Sequence, residues 1–370
     1  MKDGDAAIET ETETSSLRED TFREAQRRSD AIWAKLRGGE TAGLRVLTGD
    51  RPTGALHIGH LFGTLQNRVR VQDLGVETFI VIADYQVLTD RDTAENVDAN
   101  VRDVLLDYLA AGLDPARATI FPHSHVPELN QLLLAFLPLV SMPELDRNPT
   151  VKEEIKAANL RTVNAAMFVY PLHQAADILF CKGNLVPVGK DQLPHLELSR
   201  KIARRFNERF GAEVFPPVNA LLSDIPLVLG LDGQKMSKSR NNAVLLKHTA
   251  DETAKLIKGA KTDSERRITY DPVSRPEVAN LLRLIAECSG ESPEAIAERI
   301  GDGGGGKLKA TLTETLNEHL APLRARRKEY ESAPERLRAI LADGILRART
   351  VGEATLREVR RAMNMSYELA

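Results

Sequence analysis

LRVLTGDRPTGALHIGHLFG, residues 44 to 63, opens as a short apolar strand over Leu44 to Thr48. It turns through Gly49, Pro52 and Gly54 and then starts a helix at His57-Ile58-Gly59-His60. Strand, glycine turn and helix start are the parts from which nucleotide sites are built. The exposed N–H groups and positive dipole end of a helix favour phosphate. Gly59, lacking a Cβ, leaves its backbone open to a flat base.

Outward from this stretch, strand and helix alternate. Strands are expected at 44–48, 78–83, 118–121 and 184–188, and helices at 58–74, 93–112, 127–140, 151–168, 171–181 and 190–210. Near-continuous apolar strands in such an alternation predict an α/β fold, a Rossmann-like parallel sheet with helices on both faces. Ligands of such sheets sit outside the carboxyl ends of the strands. The glycine turn, the DYQ after IVIA and the VGKDQ of residues 188–192 all fall at such ends. After about residue 245 strand signals fade, and TADETAKLIKGA, RPEVANLLRLIAECSG, SPEAIAERI, LKATLTETLNEHLAPLRARRKEYE, PERLRAILADGILRART and GEATLREVRRAMN read as helices. Several begin at Thr, Ser or Pro, as capped helices do. Gly303 to Gly306 reads as a flexible connector. The expected division is an extension over 1–40, a Rossmann-like domain over 41–230, a loop over 231–245 and an all-helical domain over 246–370.

A chain of 370 residues suits two domains, and 42% apolar content suffices for a core. With 50 basic and 53 acidic residues the formal net charge is -3, so any basic surface for nucleic acid must be local. Cys181 and Cys288 are too few for a disulfide framework or a four-Cys zinc site, which fits a reducing cytosol. No apolar run reaches membrane-spanning length. The acidic start, MKDGDAAIETETETSS, lacks the apolar core of a signal peptide and reads as a disordered tail. A soluble, cytoplasmic protein is expected. Between Ser16 and Leu36, Leu17, Phe22, Ile32, Trp33 and Leu36 recur among charges, an amphipathic helix that docks on the body or on a partner.

A second marker is Gln234-Lys235-Met236-Ser237-Lys238-Ser239-Arg240, in a turn-rich stretch past the sheet. Its lysines are flexible point charges and its serines add donors, so a loop of this kind can close over a polyphosphate. Taken alone it reads as a solvated basic loop, and HIGH alone as a capped helix with two incidental histidines. From average residue usage, HIGH arises by chance in a chain this long on the order of once in a thousand. Both motifs in this order, flanking the sheet, remove the incidental reading.

HIGH with KMSKS resembles the class I aminoacyl-tRNA synthetases. Tyr170-Pro-Leu-His-Gln-Ala-Ala-Asp-Ile-Leu179, Val186-Pro-Val-Gly-Lys-Asp-Gln192, HLELSRKIARRFNERFG, GDRPTG before HIGH and TDSE at 262–265 narrow the likeness to the bacterial tryptophanyl-tRNA synthetases, over roughly residues 44 to 365. The resemblance implies activation of tryptophan with ATP and magnesium to tryptophanyl-adenylate, then transfer to tRNA(Trp). Attack of the substrate carboxylate on the α-phosphorus needs no protein nucleophile, so catalysis is positioning and charge stabilisation. On the family pattern His57 and His60 face phosphates and ribose, and Lys235, Ser237 and Lys238 follow the leaving pyrophosphate. ATP binding falls to Gly49, Asp50, Arg51, Gly59, Lys152, Gly189 and Asp191. Tryptophan binding falls to Leu47, Gln86, Tyr170, Gln174, Asp177 and Gln192. Asp177 would accept the indole N–H, so phenylalanine would leave a desolvated carboxylate one donor short. Tyr170 would meet the substrate ammonium.

Departures stand beside the likeness. Gln86 holds a position where His is usual, Leu47 one where an aromatic often packs on indole, and Lys190 one where Glu is usual. These bear on fine specificity. His173 and His195 read as helix-surface or packing residues. With no Cys-x-x-Cys or His-x-x-x-His spacing, no tightly bound metal is expected, and magnesium would come with ATP, held mainly by its phosphates. The helical tail would read the anticodon, with Arg324, Arg326, Arg327 and Lys328 a candidate phosphate contact. A homodimer is implied, with its seam at Asp103–Leu113 or residues 127–140. Two other readings stay open: a tyrosine-specific enzyme of the same class, and an auxiliary copy that binds or regulates through a protein partner of the N-terminal extension.

Overall fold

Runs of β-branched and other apolar residues form five strands: β1 (Arg45–Asp50), β2 (Glu77–Ile82), β3 (Ala118–Pro122), β4 (Leu185–Val188) and β5 (Asn219–Leu222). This computed structural model describes residues 22–89, 95–148, 150–152, 155, 163–189, 192–222 and 228–367. The acidic tail over 1–16, Leu17, Lys190 and Asp191 lie outside the described residues. The strands are parallel in the order β3-β2-β1-β4-β5. That order reverses between β1 and β4, so a crevice opens beyond Asp50 and Val188, where doubly wound sheets bind ligands. β1 and β2 run close there: a Cβ on Gly49 would lie 2.0 Å from the Val81 carbonyl oxygen.

Alternation along the strands feeds two cores. Ile80, Ile82 and Ile120 pack with Leu61, Phe62 and Leu65 on one face, and Phe79, Val81 and Phe121 pack with Leu129, Leu172 and Phe206 on the other. The first face is covered by α2, which opens at Ile58–His60, widens into a π-helical stretch over Leu61–Leu65 and ends as α-helix over Gln66–Asp73, and by α3 (Val97–Ala111). The second is covered by α4 (Pro127–Phe136), α5 (Ala165–Leu179) and α6 (Leu193–Phe210). The helical part follows as α7 (Ala250–Lys258), α8 (Pro276–Ser289), α9 (Pro293–Ile300), α10 (Gly304–Glu331) and α11 (Pro334–Ala362). Leu281, Leu312 and Leu320 of this part belong to the same core as the first face. Among the described residues no helix is long and apolar enough to cross a membrane.

Both sheet edges are covered, which removes the exposed pairing groups of an edge strand. At β3, Gly344 lets the α11 backbone lie directly on the strand, since a Cβ there would sit 1.9 Å from the Ile120 oxygen. Arg347 donates to the carbonyls of Pro115 and Ala118 beside it. At β5 the helix over residues 22–37, α1, does the same work with side chains: Ser29 Oγ accepts the Leu222 N–H at 2.8 Å, and Trp33 Nε1 donates to the Leu222 oxygen at 3.2 Å. The apolar stripe of α1 is thus buried on the body of the chain.

Several expectations are corrected. The helix expected at 171–181 starts earlier, as α5, which runs through Pro171; of the one expected at 151–168, residues 153, 154 and 156–162 lie outside the described residues. A proline inside a helix costs about 3 kcal/mol, but Met167, Leu172, Ala175, Ile178 and Leu179 are all buried, and that burial outweighs it. Two helices were expected where α11 is one. Gly352 is not a break but a contact point, its Cβ position 3.1 Å from Glu128 and 3.2 Å from Phe180. Gly303 ends a 3-10 turn and Gly304–Gly306 open α10, so this stretch is not a loose connector. β5 went unforeseen because four residues, NALL, are too short for a periodic signal. Of the seam candidate Asp103–Leu113, Val104, Leu105, Tyr108 and Leu109 are buried within the chain and belong to its core. The Arg cluster is engaged internally: Arg324 donates to the His248 oxygen, Arg326 to the Ala110 oxygen and Arg327 to Asp103. Lys328, the fourth of the cluster, is exposed.

Candidate active site

The crevice is a cavity of about 1170 Å³ at the carboxyl ends of the strands. It has two ends. The first is built on the start of α2. The N–H of His57 donates to His60 Nδ1 at 3.2 Å, which leaves the proton of a neutral His60 ring on Nε2. Burial, with help from His60 and Lys238, pushes the His57 pKa down to about 3, and burial lowers that of His60 although Asp50 opposes it. Both rings are therefore neutral near pH 7 and serve as hydrogen-bonding groups rather than charges. Asp50 Oδ2 is held by Arg68 at 2.5 Å and by the Tyr108 hydroxyl at 2.8 Å, and Asp50 ionises at a pKa of about 2 despite its burial. Beneath the turn, Asp107 Oδ2 accepts the Leu56 N–H at 2.6 Å.

The KMSKS stretch is stitched to this end by backbone. Ile58 N–H donates to Val244 O, and Leu246 N–H to Leu56 O. Met236 is buried in the first-face core, and a Cβ on Gly59 would lie 3.0 Å from the His57 ring and 3.2 Å from Met236 Sδ. Lys238 Nζ donates to Thr53 Oγ1 at 3.2 Å, linking the loop to the glycine turn. Asn242 shapes the loop from within: its Oδ1 accepts the Ser237 N–H, and its Nδ2 donates to Asp232 and to the Lys235 oxygen.

The second end lies between α5 and the strands β2 and β3. Asp177 is 2% exposed, and its Oδ1 lies 2.8 Å from Nε2 of the fully buried His123. The contact is short but poorly aligned for a hydrogen bond, so both buried atoms lack a directed partner among the described residues. His173 Nε2 lies 2.7 Å from Asn130 Oδ1, and its ring centroid is 4.7 Å from that of His123. His123, His173 and Asp177 thus offer three ligand atoms within 4.8 Å of one another. The 2.8 Å separation is that of a direct contact. Ligands bound at about 2.0 Å around a tetrahedral ion stand farther apart, roughly 3.3 Å. Residue spacing alone did not reveal this cluster. The Tyr170 hydroxyl lies 3.1 Å from His195 Nε2, and His195 Nδ1 is 3.4 Å from the Asn148 amide. His195 is thus a buried partner of Tyr170.

Among the expected residues, Leu47, Gly49, Asp50, Arg51, Gly59, His60, Gln86, Tyr170, Gln174, Asp177, Gly189, Gln192 and Lys235 line this one cavity. The His57 ring packs on that of His60, centroids 3.8 Å apart, and Lys238 donates to Thr53, a lining residue. Ser237 is held through its N–H by Asn242, outside the lining. Lys152 is exposed and is not among the lining residues. Sequence reasoning missed His123, Asn242 and the Arg68–Tyr108 clamp on Asp50. His123 directly follows β3, so the carboxyl-end rule applied to that strand would have flagged it.

A parallel sheet with its crevice at the topological switch, and the HIGH turn bonded along the backbone to the segment that follows KMSKS, define a class I synthetase site. The sequence model of the family "tRNA synthetases class I (W and Y)" matches residues 40–321, and the chain belongs to that family. It is 41% identical over 332 residues to tryptophan–tRNA ligase of Treponema pallidum, covering 87% of this chain and 97% of that protein. It is 42% identical, with the same coverages, to tryptophan–tRNA ligase of Clostridium longisporum. Among solved structures it is similar to tryptophanyl-tRNA synthetase of Campylobacter jejuni complexed with ADP and tryptophan, at a TM-score of 0.76 and 30% identity over 87% of this chain and 100% of that one.

Proposed function

We propose that this chain is a tryptophan–tRNA ligase. It activates tryptophan with ATP and transfers it to tRNA(Trp). The observation that carries the reading is one cavity with a phosphate-friendly helix start at one end and a buried carboxylate at the other. In the first step a carboxylate oxygen of tryptophan forms a bond to the α-phosphorus, the bond to the β-phosphate oxygen breaks, and pyrophosphate leaves. In the second, a hydroxyl of the terminal adenosine attacks the acyl carbon and AMP leaves.

The chain's residues position and stabilise. His60 offers its Nε2–H to phosphate or ribose, with His57 setting its tautomer through the backbone. Asp50 acts through Arg68 and Tyr108, holding the turn over which the triphosphate lies. Lys235 and Lys238 meet the negative charge of the leaving pyrophosphate, and Gly189 and Gln192 flank ribose and amino acid. Asp177 accepts the indole N–H, and Tyr170, oriented by His195, meets the ammonium. Magnesium enters with the triphosphate and is held by its oxygens, since Asp50 is already engaged by Arg68. Residues 246–370 read the anticodon, in the cytoplasm. A homodimer would close over Leu134 (70% exposed) and Met142 (67% exposed), beside the second end of the cavity.

Pyrophosphate exchange with tryptophan and with tyrosine, run side by side, tests the reading. Tryptophan should drive exchange at least a hundredfold better in kcat/KM, as a site that discriminates by an unpaired polar group requires. Exchange driven by tyrosine alone overturns it.

A further inference from the structure

Helix α1 lies before residue 40, where the family match begins. Its docking is nonetheless specific. Both backbone polar groups of Leu222, the last residue of β5, are bonded to Ser29 and Trp33. Trp33 and Leu36 are buried in a cluster with Val46, Leu185 and Leu221, and the Arg70 guanidinium sits 4.7 Å over the Trp33 ring. These anchors fix which way the rest of the helix runs. Up to two turns before Ser29, Phe22 and Gln26 reach the cavity and line it together with Leu222 and Val228.

The position of α1 says which ligand it meets. Asp177, Gln174 and Gln86 mark the amino-acid end, beside β2. β5 is three strand intervals away across β1 and β4, about 14 Å at roughly 4.8 Å per interval. The α1 residues therefore stand at the nucleotide end, on the side from which the chain leads into KMSKS. Their chemistry suits a purine. Phe22, packed against the second-face core, brings an aromatic ring to the cavity wall. One N–H of the Gln26 amide donates to Asp30 at 2.9 Å, which anchors the amide by its nitrogen and leaves its oxygen able to accept from a ligand. An accepting oxygen favours the 6-amino group of adenine over the 6-keto group of guanine.

We propose that α1, an element outside the family match, supplies a wall of the adenine subsite through Phe22 and Gln26. The proposal rests on the assignment of this cavity to ATP and tryptophan. The test is pyrophosphate exchange with the full chain, with ATP varied at saturating tryptophan and then the reverse. Phe22→Ala should raise the KM for ATP about tenfold, the scale of one lost base–aromatic contact, and leave the KM for tryptophan within about twofold. Gln26→Ala should narrow the preference for ATP over GTP by about tenfold. Phe22→Tyr, which keeps the ring, should restore the ATP KM. Ser29→Ala, which loosens the strand contact without touching the cavity, should give a smaller rise of the same kind. Thermal melting separates a local effect from misfolding. Because Gln26 is only half-buried, its variant reports even where a Phe22 variant unfolds. An unchanged ATP KM in Phe22→Ala, with an unchanged ATP:GTP ratio in Gln26→Ala, overturns the proposal. So does an equal rise in both KM values. Absence of tryptophan-driven exchange in the unaltered protein would instead overturn the functional reading.

Discussion

The two ends of the cavity are made in different ways. The end proposed for the nucleotide comes from two contiguous segments, residues 44–63 and 234–246, bonded to each other through the backbone at Ile58–Val244 and Leu56–Leu246. The end proposed for the amino acid comes from single side chains on separate elements: Asp177 from α5, His123 from the end of β3, Asn130 from α4, and His195 from α6. Contiguous segments can be recognised as strings. A constellation of single residues exists only after folding. The difference also separates two tasks. On the proposed reading, the first end handles charge that moves during the reaction, and the second holds a fixed buried carboxylate that a substrate must satisfy.

Lys238→Ala breaks this comparison most severely. A point charge aimed at a leaving group is worth about 10²–10³ in rate, so adenylate formation should fall by that factor with the KM for tryptophan unchanged. Single-turnover kinetics checks it, and equal losses in rate and tryptophan affinity would place Lys238 in binding rather than in the transition state. At the other end, Asp177→Ala should reduce the preference for tryptophan over phenylalanine by roughly tenfold to a hundredfold, since an unpaired buried polar group costs about 1–3 kcal/mol. His123→Ala should follow it in direction with a smaller effect, because it leaves Asp177 in place but removes the ring packed against it. Measuring both against ATP KM sharpens the division, which fails if ATP KM moves with either.

The smallest effect concerns pH. The His57 pKa is held near 3 in the folded chain, against about 6.5 unfolded. Below pH 6.5 the unfolded chain then binds more protons, so the stability linked to neutral His57 is present above that value and drains away as pH falls toward 3. Melting temperature should therefore drop less between pH 6.5 and 4.5 in His57→Asn than in the unaltered chain. Across pH 6 to 8 the exchange rate should carry no inflection from His57.

The legibility of the molecule follows the same division. Four strands could be placed because their apolar runs are long enough to be periodic, and α1 because Phe22, Ile32, Trp33 and Leu36 recur at helical spacing. Pro171 and Gly352 misled because local propensity argues for a break at each, whereas packing against neighbours decides otherwise. Arg324, Arg326 and Arg327 read as a surface patch because a charge run does not disclose the carbonyls and carboxylates opposite it. His195 gave no signal of its own, since its partner Tyr170 is 25 residues away, and the place of His123 after β3 does not disclose that Asp177, on another element, stands against it.

By itself, the sequence determined the α/β class and marked the segments of the end proposed for ATP, because a glycine turn, a helix start and a lysine loop are each local in the chain. Only tertiary structure decided that Asp50 is clamped by Arg68 and Tyr108, that His123 stands against Asp177, and that α1 closes the far edge of the sheet at the mouth of the cavity. Those are contacts between side chains far apart in sequence. They depend on strand order and helix packing, and no pattern along the chain specifies them.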